Sequence, residues 1–364
     1  MWIATAGGAL LIAAMIADAI GTLVVTRGRG GRWRPTTAWY ELTWTIVRAV
    51  SVRLPARAGE ALLNAYPALS LLGLLIVWLI GLLLGWALVY LGLGQPPGAH
   101  GDWATTVYYA GTGLFAASFG SARATSAQLL SLVETVMGLG TVALMISYLP
   151  ALYGAYSRRE AKLLTLDDPI GGRITPLRVI VVHSGGTDLE RLYRFCADWE
   201  QWMAEILESH TSYPMLALFR SQHAGQSWIT ALGVVTDAAT LACAAIDGAE
   251  AREAYFLHRR GARAVNDIAD RLRVREAESD WMTRENFQGA WSGLVTTSFP
   301  LRPEEETWER LVELRARYGR RLQGLIDFLL APHGFWGHSA EETVRQEVAA
   351  AGAAARRRAR RPRA

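Results

Sequence analysis

From Pro67 to Leu93 the chain carries no charged residue. A run that long and that apolar crosses a bilayer core, which asks for about 20 such residues in a helix. Two further runs qualify: Trp2 to Thr26, whose only charge is Asp18, and Leu129 to Tyr156, whose only charge is Glu134. Lipid offers no partners to backbone polar groups, so each run must satisfy them within a helix. The expected fold class is an all-α membrane protein with three transmembrane helices. The overall 51% hydrophobic content and net charge of +4 average two unlike halves and decide nothing by themselves.

Arginine clusters orient the spans. Arg27, Arg29, Arg32 and Arg34 follow the first run, and Arg158, Arg159 and Lys162 follow the third. The excess of basic residues on cytoplasmic loops puts both clusters inside. The N-terminus is then outside, and everything after about residue 157 is cytoplasmic, in an inner (plasma) membrane of prokaryotic style. The first run lacks a basic segment before it and reads as a retained anchor, not a cleaved signal. Cys196 and Cys243, the only two cysteines, fall in the cytoplasmic part. Reducing conditions disfavour a disulfide there and two thiols do not make a zinc site, so both read as small core residues.

Residues 27–66, with Trp, Tyr, Ile and Val at helical spacing among arginines, suit an amphipathic segment at the cytoplasmic interface. Gly94 to Gly101 is a Pro- and Gly-rich external turn. The following "DWATTVYYAGTGLF" is apolar but too short to cross, so it must dip in and return, as irregular backbone does only inside protein or beside water. The expected pore helix is 103–115, the loop 116–122 and the returning helix 127–156. Residues 161–177 form a linker, 178–345 a helical cytoplasmic domain, and 346–364 a basic tail matched to anionic lipid headgroups. Within the domain, Thr187 and Glu190 read as a capping box, "LRVIVV" as a short strand, and 228–246, 249–278 and 304–330 as helices. "WITALGVVTDAATLACAAI" has only Asp237 charged. It reads as a buried core helix, because crossing would export the Arg-rich C-terminus.

The order long helix, short re-entrant helix, Gly-containing loop, long helix, together with "SFG" and the inner-helix run "LLSLVETVMGLGTVALMISYLPALYGAYSRRE", resembles the two-helix pore module of the potassium-channel superfamily over about residues 67–160. That resemblance implies a homotetramer with the loop on its axis, no cofactor, and a permeant monovalent cation, potassium or sodium. The family filter Thr-Val-Gly-Tyr-Gly-Asp falls on Ala116, Ala117, Ser118, Phe119, Gly120 and Ser121, of which only Gly120 matches. Backbone carbonyls of Ala116, Ala117, Ser118, Phe119 and Gly120 would then replace the ion's water. Ser118 at a position needing glycine's freedom would cost about 1–3 kcal/mol in the same backbone. Weak selectivity is the implied result.

Other residues carry two readings each. Glu134 is either a ring of carboxylates at the pore entry or a brace behind the loop, bonded to Arg123, Ser118 or Ser121. Gly138 and Gly140 are either a gating hinge or close-packing positions. Ala143, Ser147, Ala151 and Ala155 either line the conduction path or meet a neighbouring helix. Asp18 calls for a protein partner that the sequence does not name. "VIVVHSGGTDLE" lacks the dinucleotide-binding glycine pattern, and the scattered His183, His210, His223, His258, His333 and His338 lack metal-ligand spacing. No nucleic-acid partner and no enzymatic activity are expected. The alternative to a channel is a non-conducting membrane sensor or scaffold on a degenerate pore module.

Overall fold

The structure, a computed structural model, describes residues 2–24, 34–94, 102–116, 125–166 (side chains there from residue 128), 174–221, 227–248, 252–332 and 336. The chain forms two compact units, Met1–Gly154 and Ala155–Ala364. Both are helical, and among the described residues the only extended pairing is an isolated bridge between Ile246 and Leu301.

The first unit comprises α1 (Trp2–Leu23), α2 (Pro35–Ser51), α3 (Ala56–Gly92), α4 (Trp103–Leu114) and most of α5 (Thr125–Leu163). α3 starts at Ala56 and not at Pro67, because hydropathy marks the apolar part of a helix and not its ends. Its first turns bury Gly59, Leu63 and Tyr66. α5 likewise outruns its apolar stretch and carries the chain from the first unit into the second. α1 and α3 touch backbone to backbone: a Cβ on Gly8 would lie 2.5 Å from the Gly85 carbonyl oxygen. Small residues give helices in lipid this close approach, and dispersion replaces the hydrophobic drive that lipid removes.

α2 is amphipathic. Its Trp39 indole lies on Gly73 of α3 and donates to the Ser70 carbonyl at 2.9 Å, while Leu42 and Ile46 point away from the unit, 61% and 52% exposed. Asp18, 4% exposed, pins the start of α2 onto α1. It accepts from Arg34 Nε (2.8 Å), the Thr36 amide (3.0 Å), the Thr36 hydroxyl (2.5 Å) and Trp78 Nε1 of α3 (3.0 Å). The carboxylate therefore works as a helix cap supplied from another helix.

The second unit continues through α6 (Pro176–Ser184), α7 (Leu189–Ser212), a 3-10 turn (Pro214–Leu218), α8 (Trp228–Ala245), α9 (Arg252–Leu272), α10 (Arg284–Leu294), α11 (Glu304–Arg315) and α12 (Gly319–Leu329). "LRVIVV" is not a strand but lies in α6. Thr175 caps that helix by accepting from the Arg178 amide, Pro176 starts it, and Gly185 ends it at φ 63°. A short run buried on all sides looks the same in either conformation, and the caps decide. The cap of α7 is Asp188, accepting from the Arg191 amide, and not Thr187. The expected helix 304–330 is two helices, broken at 316–318, and α10 falls outside every helix expected from periodicity.

α8 is the axis of this unit, with α6, α7, α9, α11 and α12 packed against it. Four helices among the described residues are long and apolar enough to cross a membrane: α1, α3, α5 and α8. α8 differs from the others in being 94% buried by its own protein, against 22–39% for the rest. In its middle, Asp237 (0% exposed) takes Arg315 Nε at 3.0 Å and Nη2 at 3.3 Å, the Tyr318 hydroxyl at 2.5 Å and Trp336 Nε1 at 2.6 Å. Tyr318 also meets the Thr240 hydroxyl, which meets His258 Nδ1. Burial, with Arg317 and Arg259 nearby, pushes the His258 imidazole down to about 4, so it is neutral at physiological pH. Cys196 and Cys243 are both buried, and burial pushes the Cys196 thiol up to about 12, which leaves it unreactive at neutral pH.

Candidate functional site

The short helix α4 is the element that most needs an explanation. Asp102 caps it, accepting from the Thr105 amide at 3.1 Å. At 12 residues its length is about 18 Å, roughly half the hydrocarbon thickness. It ends where Ala116 takes a left-handed φ of 56°, a conformation an L side chain adopts at a cost of about 1 kcal/mol. The α4 carbonyls, the negative end of its dipole, lie at that end.

Three contacts hold the C-terminal end of α4 against α5. The Thr135 hydroxyl donates to the Gly113 carbonyl at 2.6 Å. Gly138 lies directly under the Leu114 carbonyl, with no room for a side chain. The Glu134 carboxylate sits where a Cβ of Gly113 would be. On the other side, α3 supplies Tyr90, whose ring meets Tyr109 edge-on at 5.0 Å. α4 is thus wedged between two long apolar helices, α5 presenting it Thr135 and Glu134 and α3 presenting it Tyr90.

Glu134 is fully buried. Its Oε2 accepts from the Tyr90 hydroxyl at 2.8 Å, and among the described residues Oε1 has no partner. The described partner of Glu134 is Tyr90 of α3, which neither sequence reading named; Arg123, Ser118 and Ser121 lie outside the described residues. Gly138 is occupied by packing, whereas a Cβ on Gly140 would meet nothing within 4 Å. Both lie inside the unbroken helix α5, which also contains Pro150. Ala143, Ser147 and Ala151 are exposed on the single chain and Ala155 is buried, so three of the four small residues present an open face. Of the expected filter, Ala116 is described; Ala117, Ser118, Phe119, Gly120, Ser121 and Arg123 lie outside the described residues.

Glu134→Gln should be tolerated, since an amide oxygen still accepts from Tyr90. Glu134→Ala should cost about 1–3 kcal/mol, the penalty for leaving a buried hydroxyl without its partner. Thermal unfolding of the solubilised protein checks this, and equal loss in both variants would contradict the Tyr90 pairing.

Sequence reasoning missed Tyr90, Gly113 and Thr135. Glu134 was visible because a charge in an apolar run stands out; a tyrosine, a glycine and a threonine in such runs do not.

No protein-family model and no solved structure matches the chain. Over 245 residues, 65% of its length, it is 24% identical to an uncharacterised membrane protein, YdjJ, of Bacillus subtilis (strain 168), covering 68% of that protein. The relative's description and the apolar helices agree that this is a multi-pass membrane protein.

Proposed function

We propose that the chain is one subunit of a homotetrameric, potassium-channel-like cation channel with a degenerate, weakly selective filter. α1, α3 and α5 are the spans, the N-terminus is outside, and the second unit is cytoplasmic. The observation that carries the reading is α4: a capped helix of half-membrane length, held at its C-terminal end between two membrane-length helices by Thr135, Gly138 and the buried Glu134. In this reading the short helix aims its carbonyl end, the negative end of its dipole, at a polar path.

The burial of α8 supports three spans over four. A helix that already spends its surface on its own domain, and holds an ion-paired Asp237 at its centre, has no face left for lipid. The open stripe of Ala143, Ser147 and Ala151 suits either the path or a neighbouring copy. In this reading carbonyls of Ala116 to Gly120 coordinate the ion, Ser121 and Arg123 stand at the entry, and Glu134 braces the loop from behind.

The test is selectivity. Ser118→Gly combined with Phe119→Tyr restores two family residues and should raise potassium flux relative to sodium in reconstituted liposomes. An unchanged ratio in a conducting protein would place the filter elsewhere. A monomer by light scattering in mild detergent would overturn the tetramer and favour the sensor or scaffold reading.

A further inference from the structure

α5 ends in a cage that the channel reading does not use. Arg159, 2% exposed, is gripped on every donor edge: Nε bonds Glu160 Oε1 at 2.9 Å, Nη1 the Leu216 carbonyl at 3.0 Å, and Nη2 the Phe219 carbonyl at 2.7 Å. Its guanidinium carbon lies 5.1 Å from the Tyr156 ring centroid and 5.4 Å from that of Trp228. The remaining neighbour is His210 of α7, 1% exposed and packed on Trp228 at 4.4 Å.

The tautomer of His210 follows from its partners. Nδ1 lies 2.9 Å from the Ile206 carbonyl, which only accepts, so Nδ1 carries the hydrogen. Nε2 then keeps its lone pair, and it faces Arg159 Nη1 at 3.5 Å. A neutral imidazole tolerates the guanidinium there. A proton on Nε2 would aim a second positive charge at the first, inside a pocket with little water to screen it.

Among the described residues, the groups facing this pair are few. α5 contributes Tyr156, Arg159 and Glu160; α7 contributes Ser209, whose hydroxyl is 3.2 Å from His210 Nδ1; α8 contributes Trp228; the 214–221 segment contributes carbonyls and the Ser221 hydroxyl. Glu160 is the one carboxylate among them. Its Oε1 is shared by Arg159 and Ser221 and its Oε2 has no hydrogen-bond partner among the described residues, so Glu160 makes no hydrogen bond to His210 and the charge the imidazole faces directly is that of Arg159.

We propose that the Arg159–His210 contact is an acid-sensitive latch: it docks the end of α5 at neutral pH and releases it when His210 gains a proton. Burial and the Arg159 charge both hold the docked imidazole well below its usual range. The sign follows. The docked state binds fewer protons than the released one, so docking is complete above the free-histidine value of about 6.5 and weakens below it, up to tenfold per pH unit. Because α5 is also the helix that braces α4, the latch places a pH-sensitive joint on it. The latch itself stands whether or not the protein conducts.

The test is hydrogen exchange on the full chain in detergent micelles between pH 7.5 and 5, read as protection factors after correction for intrinsic rates. Protection over 157–163 and 214–220 should fall by up to tenfold per unit below about pH 6.5, while α9 and α11 hold. His210→Gln, which takes no proton, should flatten the dependence, as should Arg159→Gln, which removes the repelling charge. Should either variant fail to fold, the wild-type pattern alone decides. Flat protection in the wild type, loss spread evenly over the unit, or an unchanged slope in His210→Gln would each overturn the latch.

Discussion

Asp237→Ala should cost the second unit about 3–5 kcal/mol, the usual penalty for removing one partner of a buried ion pair. The alanine leaves the Arg315 guanidinium, the Tyr318 hydroxyl and the Trp336 indole facing an empty space, and Arg315 is then left with Asp280 as its carboxylate. Domains are stable by only about 5–15 kcal/mol, so this one change should bring the unit near unfolding. Arg315→Met should cost a similar amount, and the double variant Asp237→Ala, Arg315→Met less than the sum, because no charge is then stranded. Chemical unfolding followed by tryptophan fluorescence measures all three. A loss below about 0.5 kcal/mol for Asp237→Ala would mean that the Asp237–Arg315 pair does not hold the core of the second unit, and the support that pair lends to three spans over four would go with it.

The second large effect is expected at Asp18. Its carboxylate is 2% exposed and collects four donors from the start of α2 and from α3, with the Arg34 guanidinium 24% exposed above it. Asp18→Ala takes the carboxylate from Arg34 Nε and Trp78 Nε1 and uncaps α2, leaving Arg34 Nη2 on the residue 18 carbonyl and Thr22, a loss of about 3 kcal/mol. Asp18→Asn keeps an acceptor and should lose less, though its amide group would face the Thr36 donors. The thermal midpoint of the solubilised protein, with accessibility of a cysteine placed at Ala38 as a reporter on α2, separates local release from global unfolding. Equal midpoints for the wild type and Asp18→Ala would show that α2 is held by its contacts with α3, Trp39 on Ser70, Thr43 with Tyr66 and Trp44 against the Tyr66 ring, without the Asp18 cap.

Much of the first unit was legible in the sequence, because the bilayer imposes a coarse rule. Three long apolar runs and a piece too short to cross gave α1, α3, α4 and α5 as helices with little ambiguity. Helix ends were not legible: Ala56 to Tyr66 is helical yet polar enough to fall below any apolar threshold. The polar pairings were not legible either. Asp18 with Trp78, Glu134 with Tyr90, and Asp237 with Arg315 join residues 60, 44 and 78 positions apart. A single chain shows that each acid is costly where it sits, but not which donor relieves it. "LRVIVV" failed for another reason: a segment buried on every side has no period to read, and only its Thr-Pro start and Gly-Gly end tell helix from strand.

The proposed role of the wedge of α3, α4 and α5 is to aim a loop at a cation path. The most direct test is cation flux into liposomes holding the purified full-length protein, comparing potassium, sodium and a large organic cation at pH 7.5 and 5. The account predicts potassium and sodium entry with modest discrimination, exclusion of the large cation, and a rate that differs between the two pH values. Flux no greater than in empty liposomes at both pH values would contradict it.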